Sequence, residues 1–196
     1  MKLVLIRHGQ IDANVSKIYA GRSDDPLNET GRAQAVEVAR QLSPTRFEAL
    51  YSSPLRRTME TANIIGQHIS CQPIASEAFN ELIMGPWEGL DEAKVAREYP
   101  NEFTIWTSRP AELEISGRET LLELQKRAVS GVHDIQRQLP DTAHVIIVSH
   151  VAVIRTIILY SEGKNLNEYK QVHVPNASPI HLEITSRNAL KESAFR

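Results

Sequence analysis

Cysteine occurs once in this 196-residue chain, as Cys71. A single thiol closes no intrachain disulfide, which suits a reducing cytoplasm. Long apolar runs are missing too. Arg7 and His8 cut the N-terminal run Leu3-Val4-Leu5-Ile6 after four residues, so it does not read as a secretion signal. The apolar stretch from Val145 to Tyr160 is interrupted by His150 and Arg155, and no segment is expected to span a bilayer. A strong excess of either charge is also absent, with a formal net charge of −2. That balance argues against a general nucleic-acid binder, yet a local arginine cluster can still take a small anion. There is no internal repeat and no low-complexity tract. The tail after Thr185 lacks a clear pattern and is expected to fray.

What is present is a globular composition, 41% hydrophobic and 23% charged, of a size that fits one domain over residues 1–196. Leu3 to Ile6 reads as a strand buried on both faces. Gly9 is expected to turn the chain tightly and let the backbone approach a ligand. After a polar loop, Asn28-Glu29-Thr30 opens a helix that Pro44 ends. Phe47 to Tyr51 reads as a second strand. Ser53 as N-cap and Pro54 at the first helical position then predict a helix carrying Leu55, Met59, Ala62, Ile65 and Ile69 on one stripe. Glu77 to Leu90 reads as a structured loop, and Asp91 to Glu98 as a short helix closed by Pro100. Trp106 and Pro110 fall in an irregular stretch, and Glu119 to Leu139 is a long amphipathic helix. Val145-Ile146-Ile147-Val148 is the strongest strand, followed by a helix over Val151 to Tyr160. A last strand is expected at Ile180 to Ile184. Strands alternating with helices along the length predict an α/β domain with a mainly parallel sheet.

Two apolar strands end in the same way, LVLI in Arg7-His8 and VIIV in Ser149-His150. Ligands in open α/β sheets lie beyond the carboxyl ends of the strands. If these strands are neighbours, both imidazoles face one pocket. His150 also opens a helix, whose free N–H groups favour an anion. Arg7, and either Arg56 or Arg57 in the helix after the second strand, add guanidiniums that match phosphate oxygens. Two histidines and two arginines, with no cysteine or aspartate cluster, suit a phosphoryl group and predict neither metal nor cofactor. A neutral imidazole can attack phosphorus covalently while its other ring nitrogen is pinned by an acceptor. A carboxylic acid must protonate the leaving alkoxide. Composition leaves that acid open between Glu81 and Glu88.

Taken in order, LIRHGQIDAN, PLNETGRAQA, YSSPLRRTMETA, ELIMGPWEGL, GRET, VIIVSHVAVIR and NAS resemble the histidine phosphatases, the phosphoglycerate mutase-like superfamily. The resemblance covers nearly the whole chain. It implies a three-layer α/β/α sandwich with a mainly parallel central sheet. It implies that His8 is the phosphorylated nucleophile and that Arg7, Arg57, Asn14 and His150 meet the phosphate. It makes Glu81 the proton donor and leaves Glu88 to support the loop. Gln10 stands where the family often has glutamate, Ala20-Gly21 replaces a frequent Gln-Gly, and Gly117-Arg118-Glu119-Thr120 departs from Gly-Gly-Glu-Ser.

The implied function is a metal-independent phosphomonoesterase acting on a small phosphorylated metabolite, with no nucleic-acid or membrane partner. A homodimer is left open. The Tyr19-Ala20-Gly21-Arg22 region looks most like α-ribazole phosphatases, and Arg22 is a candidate for the pocket mouth. The chain looks too short for a phosphoglycerate mutase, which stands as the alternative beside a non-catalytic phosphate-binding module. His68, His133, His144, His173 and His181 lack ligand spacing and default to surface or core. Trp87 and Trp106 default to packing.

Overall fold

The structure is a computed structural model and describes residues 1–184. Its frame is a five-stranded sheet. The strands are β1 (Lys2–Arg7), β2 (Ala49–Ser52), β3 (Pro73–Ala75), β4 (His144–Ser149) and β5 (Pro179–Glu183), in the spatial order β3-β2-β4-β1-β5. The first four are mutually parallel, and β5 runs antiparallel against β1. The helices are α1 (Asp12–Val15), α2 (Glu29–Leu42), α3 (Arg56–Ile69), α4 (Glu92–Glu98), α5 (Pro100–Ser108), α6 (Leu121–Gln138) and α7 (Val151–Ser161).

Strand alternation sorts the apolar residues into two layers. Val4, Ile6, Leu50, Ile146 and Val148 pack with Val38 and Leu42 of α2 and Ala62 and Ile65 of α3. Leu3, Leu5, Val145 and Ile147 point the other way, into a larger core with Leu124, Ala128 and Val132 of α6 and Val153 and Ile157 of α7. Both faces of the central strands are covered, which is why they read as unbroken apolar runs. The result is a three-layer α/β/α sandwich with a mainly parallel sheet.

The helix starts follow their caps. Asn28 Oδ1 accepts from Gly31 N at 2.9 Å to begin α2. Thr120 and Glu123 form a reciprocal capping box at α6, so that helix starts at Leu121 rather than Glu119. Asp91 caps α4 through Lys94 N.

Three expectations are corrected. Pro100 does not only close α4. It occupies the first position of α5, where its missing N–H costs nothing, and Trp106 lies in that helix rather than in irregular chain. Ser53 does not cap α3, which begins two residues beyond Pro54 with Leu55 at the cap and no side-chain bond there. The Ser53 hydroxyl is engaged elsewhere. Gly9 does not line the ligand cleft. A Cβ on it would sit 2.4 Å from the Gly31 carbonyl oxygen, so its lack of a side chain lets the start of α2 close onto the end of β1. The tail after Thr185 lies outside the described residues.

Candidate active site

Sheet register decides which side chains meet. Arg7 is paired with Ser149, and His8 N donates to Ser149 O at 2.9 Å. His8 and His150 therefore leave adjacent strands at the same level, with ring centroids 5.3 Å apart. On the other side of β4, Ser52 pairs with Val148 and Ser53 N donates to Val148 O at 3.0 Å. Three consecutive strand ends thus present Ser53, His150 and His8 in a row.

The hydrogen bonds assign both tautomers. His8 Nδ1 is 2.7 Å from Gly9 O, a carbonyl that can only accept. The proton is therefore on Nδ1, and Nε2 carries a lone pair. Burial, and after it the guanidiniums of Arg57 and Arg7, push this imidazole well below its ordinary pKa, so it is neutral at pH 7.

His150 has the opposite pattern. Asn80 donates from Nδ2 to Glu77 Oε2, which leaves Asn80 Oδ1 to accept the Ser53 hydroxyl at 2.8 Å. With its proton so directed, Ser53 Oγ accepts from His150 Nε2 at 2.8 Å. His150 Nδ1 is left as a buried nitrogen without a partner. Burial first, then Arg57, His8 and Arg7, hold this ring well below its ordinary pKa as well.

Both arginines are tied down at their terminal nitrogens. Arg57, 1% exposed, donates to Ser23 O at 2.7 Å and Gly21 O at 2.6 Å. Arg7 donates to Val174 O at 3.0 Å. Each keeps a buried Nε–H with no partner. Leaving such donors unpaired costs about 1–3 kcal/mol apiece, so their presence marks a place for an acceptor. Asn14 Oδ1 accepts from Ile11 N and Asn176 Nδ2, which leaves its amide nitrogen as the ligand-facing group. Arg7, His8, Asn14, Arg57 and Glu81 line one cleft of about 530 Å³. Arg56 is turned to the surface, where its Nε meets Glu60 at 2.9 Å.

Glu81 is 8% exposed. Burial raises its pKa, opposed by the Leu82 N–H on Oε1 at 2.8 Å and by Arg57, Arg7 and Arg127. A carboxyl so placed keeps its proton to higher pH than an exposed one. Its backbone is clamped, with Arg127 and Arg22 both donating to Glu81 O. Arg22 is thereby committed to the loop and does not line the cleft. Glu88 receives Arg22 N and packs against Gly21, so it supports that same loop.

Several contributors escaped sequence reading. Ser53, Asn80 and Glu77 fix His150, and Asn176 ties His8 O to Asn14. Arg127 pairs with Glu119 at 2.6 Å behind the Glu81 loop. The legible signals were a charged residue on the apolar face of α6 and a Ser-Ser pair at a strand end. None of His68, His133, His144, His173 and His181 lines the cleft. Trp87 is core, whereas buried Trp106 also forms part of the cleft wall. Among the described residues no helix is long and apolar enough to cross a membrane.

The chain is similar to proteins of known class along nearly its whole length. A phosphoserine phosphatase 1 from Hydrogenobacter thermophilus is 30% identical over 185 residues, covering 93% of this chain and 87% of that protein. A 2,3-bisphosphoglycerate-dependent phosphoglycerate mutase from Bartonella henselae is 30% identical over 200 residues, covering 98% and 97%. That match corrects the argument from length, because a mutase of nearly the same extent aligns end to end. Among solved structures, Bacillus stearothermophilus YhfR superposes with a TM-score of 0.89 at 26% identity, covering 94% of this chain and 92% of that one. A putative α-ribazole-5′-P phosphatase from Escherichia coli reaches 0.83 at 22% identity over 95% and 92%, a likeness of fold alone. The family description "Histidine phosphatase superfamily (branch 1)" matches residues 3–193. That match spans nearly the whole chain, and the chain belongs to the histidine phosphatase superfamily.

Proposed function

We propose that this protein is a metal-independent phosphomonoesterase that works through a phosphohistidine on His8. The observation that carries the reading is the set of unpartnered buried atoms, Arg7 Nε, Arg57 Nε and His150 Nδ1, beside the free Nε2 of a neutral His8. The lone pair attacks phosphorus and the N–P bond forms as the ester P–O bond breaks. Glu81 gives its proton to the departing alkoxide, so the alcohol leaves neutral. The Glu81 carboxylate then takes a proton from water. The hydroxyl attacks phosphorus, the N–P bond breaks, inorganic phosphate leaves and Glu81 is protonated again. Arg7, Arg57, Asn14 and protonated His150 hold the phosphoryl oxygens throughout.

The substrate is a small phosphorylated metabolite, and α-ribazole 5′-phosphate belongs in any panel because Tyr19 and Trp106 offer an aromatic wall. The single cysteine supports a cytoplasmic enzyme. The mutase reading retains one support, the end-to-end likeness to a mutase, and differs in keeping the phosphohistidine from water.

The deciding experiment follows p-nitrophenyl phosphate hydrolysis with EDTA present, and 32P transfer to protein. Turnover should persist with EDTA, and an acid-labile label should appear on wild type. His8→Ala should lose both, with activity reduced at least about 10³-fold and the melting temperature retained. A His8→Ala protein as active as wild type would remove the nucleophile. Interconversion of 2- and 3-phosphoglycerate faster than phosphate release, on adding 2,3-bisphosphoglycerate, would favour the mutase.

A further inference from the structure

The phosphoryl-binding groups do not use up the cleft's positive charge. Lys17, Arg155 and Lys170 line it as well, against the single acid Glu92 besides Glu81. Five cationic side chains against Glu92 and at most Glu81 leave a surplus of at least three charges, of which a bound phosphoryl dianion takes two. The whole chain is mildly acidic, so this local surplus is not a reflection of composition.

Two of the added cations are held against the wall, while Lys17 is exposed. Arg155 is half-buried; its Nε donates to Val172 O at 2.8 Å, and its guanidinium carbon stands 4.8 Å from the Tyr169 ring centroid. Lys170 Nζ stands 5.2 Å from the Trp106 ring centroid, on the cleft wall. Among the described residues neither they nor Lys17 enter an ion pair. Arg155 is near enough to both Arg7 and Lys170 for its charge to oppose theirs, so positive charge runs from the phosphoryl site to the mouth. Like charges gathered on a rigid wall are repulsive in the empty protein, and an anion relieves the repulsion.

We propose that the natural substrate is a small phosphate ester bearing a second anionic group, which Arg155, Lys170 and Lys17 bind. The proposal rests on the phosphomonoesterase reading and narrows it. It makes these three side chains determinants of specificity, while His8 and Glu81 carry the chemistry. An ester whose leaving alcohol is neutral leaves the surplus unmatched.

The test compares kcat/KM for 3-phosphoglycerate, propane-1,3-diol bisphosphate and glycerol 3-phosphate, which differ in carrying a carboxylate, a second phosphate or neither. Either dianionic-plus-anionic ester should exceed glycerol 3-phosphate by at least about tenfold, and whichever leads identifies the second group. In Arg155→Gln/Lys170→Gln that ratio should fall to within about threefold of unity. A wild-type ratio near one, or a ratio the double substitution does not change, overturns the proposal. Calorimetric binding of 3-phosphoglycerate and glycerol 3-phosphate to His8→Ala protein reads the same preference without turnover. If no ester is hydrolysed, the phosphomonoesterase reading falls, while equal affinities in that binding experiment sink the second-anion site separately.

Discussion

Ser53 Oγ lies 2.8 Å from His150 Nε2, and the two belong to neighbouring strand ends. The serine completes a chain from Glu77 through Asn80 that dictates which face of the imidazole is free. Ser53→Ala should therefore let His150 change tautomer or rotate, lowering kcat/KM for p-nitrophenyl phosphate by about tenfold, the worth of one hydrogen bond to an ionised partner. Ser53→Thr, which restores a hydroxyl, should recover part of the loss. Equal activities in wild type and Ser53→Ala would show that the chain does not govern His150.

Anion binding should take up a proton. Without ligand, His150 is neutral and its Nδ1 accepts nothing useful from an oxyanion. A dianion at that nitrogen favours the imidazolium, which then donates from Nδ1. Sulfate carries no titrating proton near neutrality. Calorimetry of sulfate binding in buffers of different ionisation enthalpy at pH 7 should report uptake of close to one proton, and His150→Asn should bind with none. Identical heats across buffers for wild type would count against the proposed role.

Glu81→Gln separates proton donation from binding. An alkyl phosphate needs its leaving group protonated, whereas p-nitrophenolate departs with little help. The substitution should slow glycerol 3-phosphate by roughly 10²–10⁴-fold and p-nitrophenyl phosphate much less. Because burial raises the Glu81 pKa, wild-type activity on alkyl esters should decline as pH rises through that raised value. Glutamine should abolish this limb. Equal slowing of both substrates would assign Glu81 another task.

Stability should drop on mild acidification. His8 and His150 are held neutral well below the pH at which an unfolded histidine protonates, near 6.5. Below that pH the unfolded chain binds protons the native protein refuses, which favours unfolding. Each such histidine steepens the fall by up to roughly 1.4 kcal/mol per pH unit. Glu81 acts in the opposite sense, since its raised native pKa adds stability at low pH that is lost as pH climbs through it. Urea unfolding at pH 7.5 and 5.5 should show wild type losing more than His8→Asn or His150→Asn. Parallel losses would mean the rings are not buried in neutral form.

Much of the fold was legible because its signals are local. Four-residue apolar runs, a cap such as Asn28, and a breaker such as Pro44 report on their own surroundings. Where local chemistry had two uses the reading went astray. Pro100 can close one helix and open another, and the distances along the chain do not say which. Ser53 is a good cap by type, but its hydroxyl was claimed by a residue of a distant strand. Gly9 signals missing bulk without saying whether a ligand or the start of α2 fills the space.

By itself, the sequence determined the α/β class, the strand-end placement of His8 and His150, and the family to which their surroundings are similar. Those follow from residue types and short spacings. The tertiary structure alone decided that the two imidazoles stand side by side, since register between β1 and β4 is a contact between remote segments. It alone turned Arg56 out to Glu60, committed Arg22 to Glu81 O, and gathered Arg155 and Lys170 beside the phosphoryl site. Burial, partner geometry and the sign of local charge arise only when chain segments far apart in order are packed together, and no spacing rule carries them.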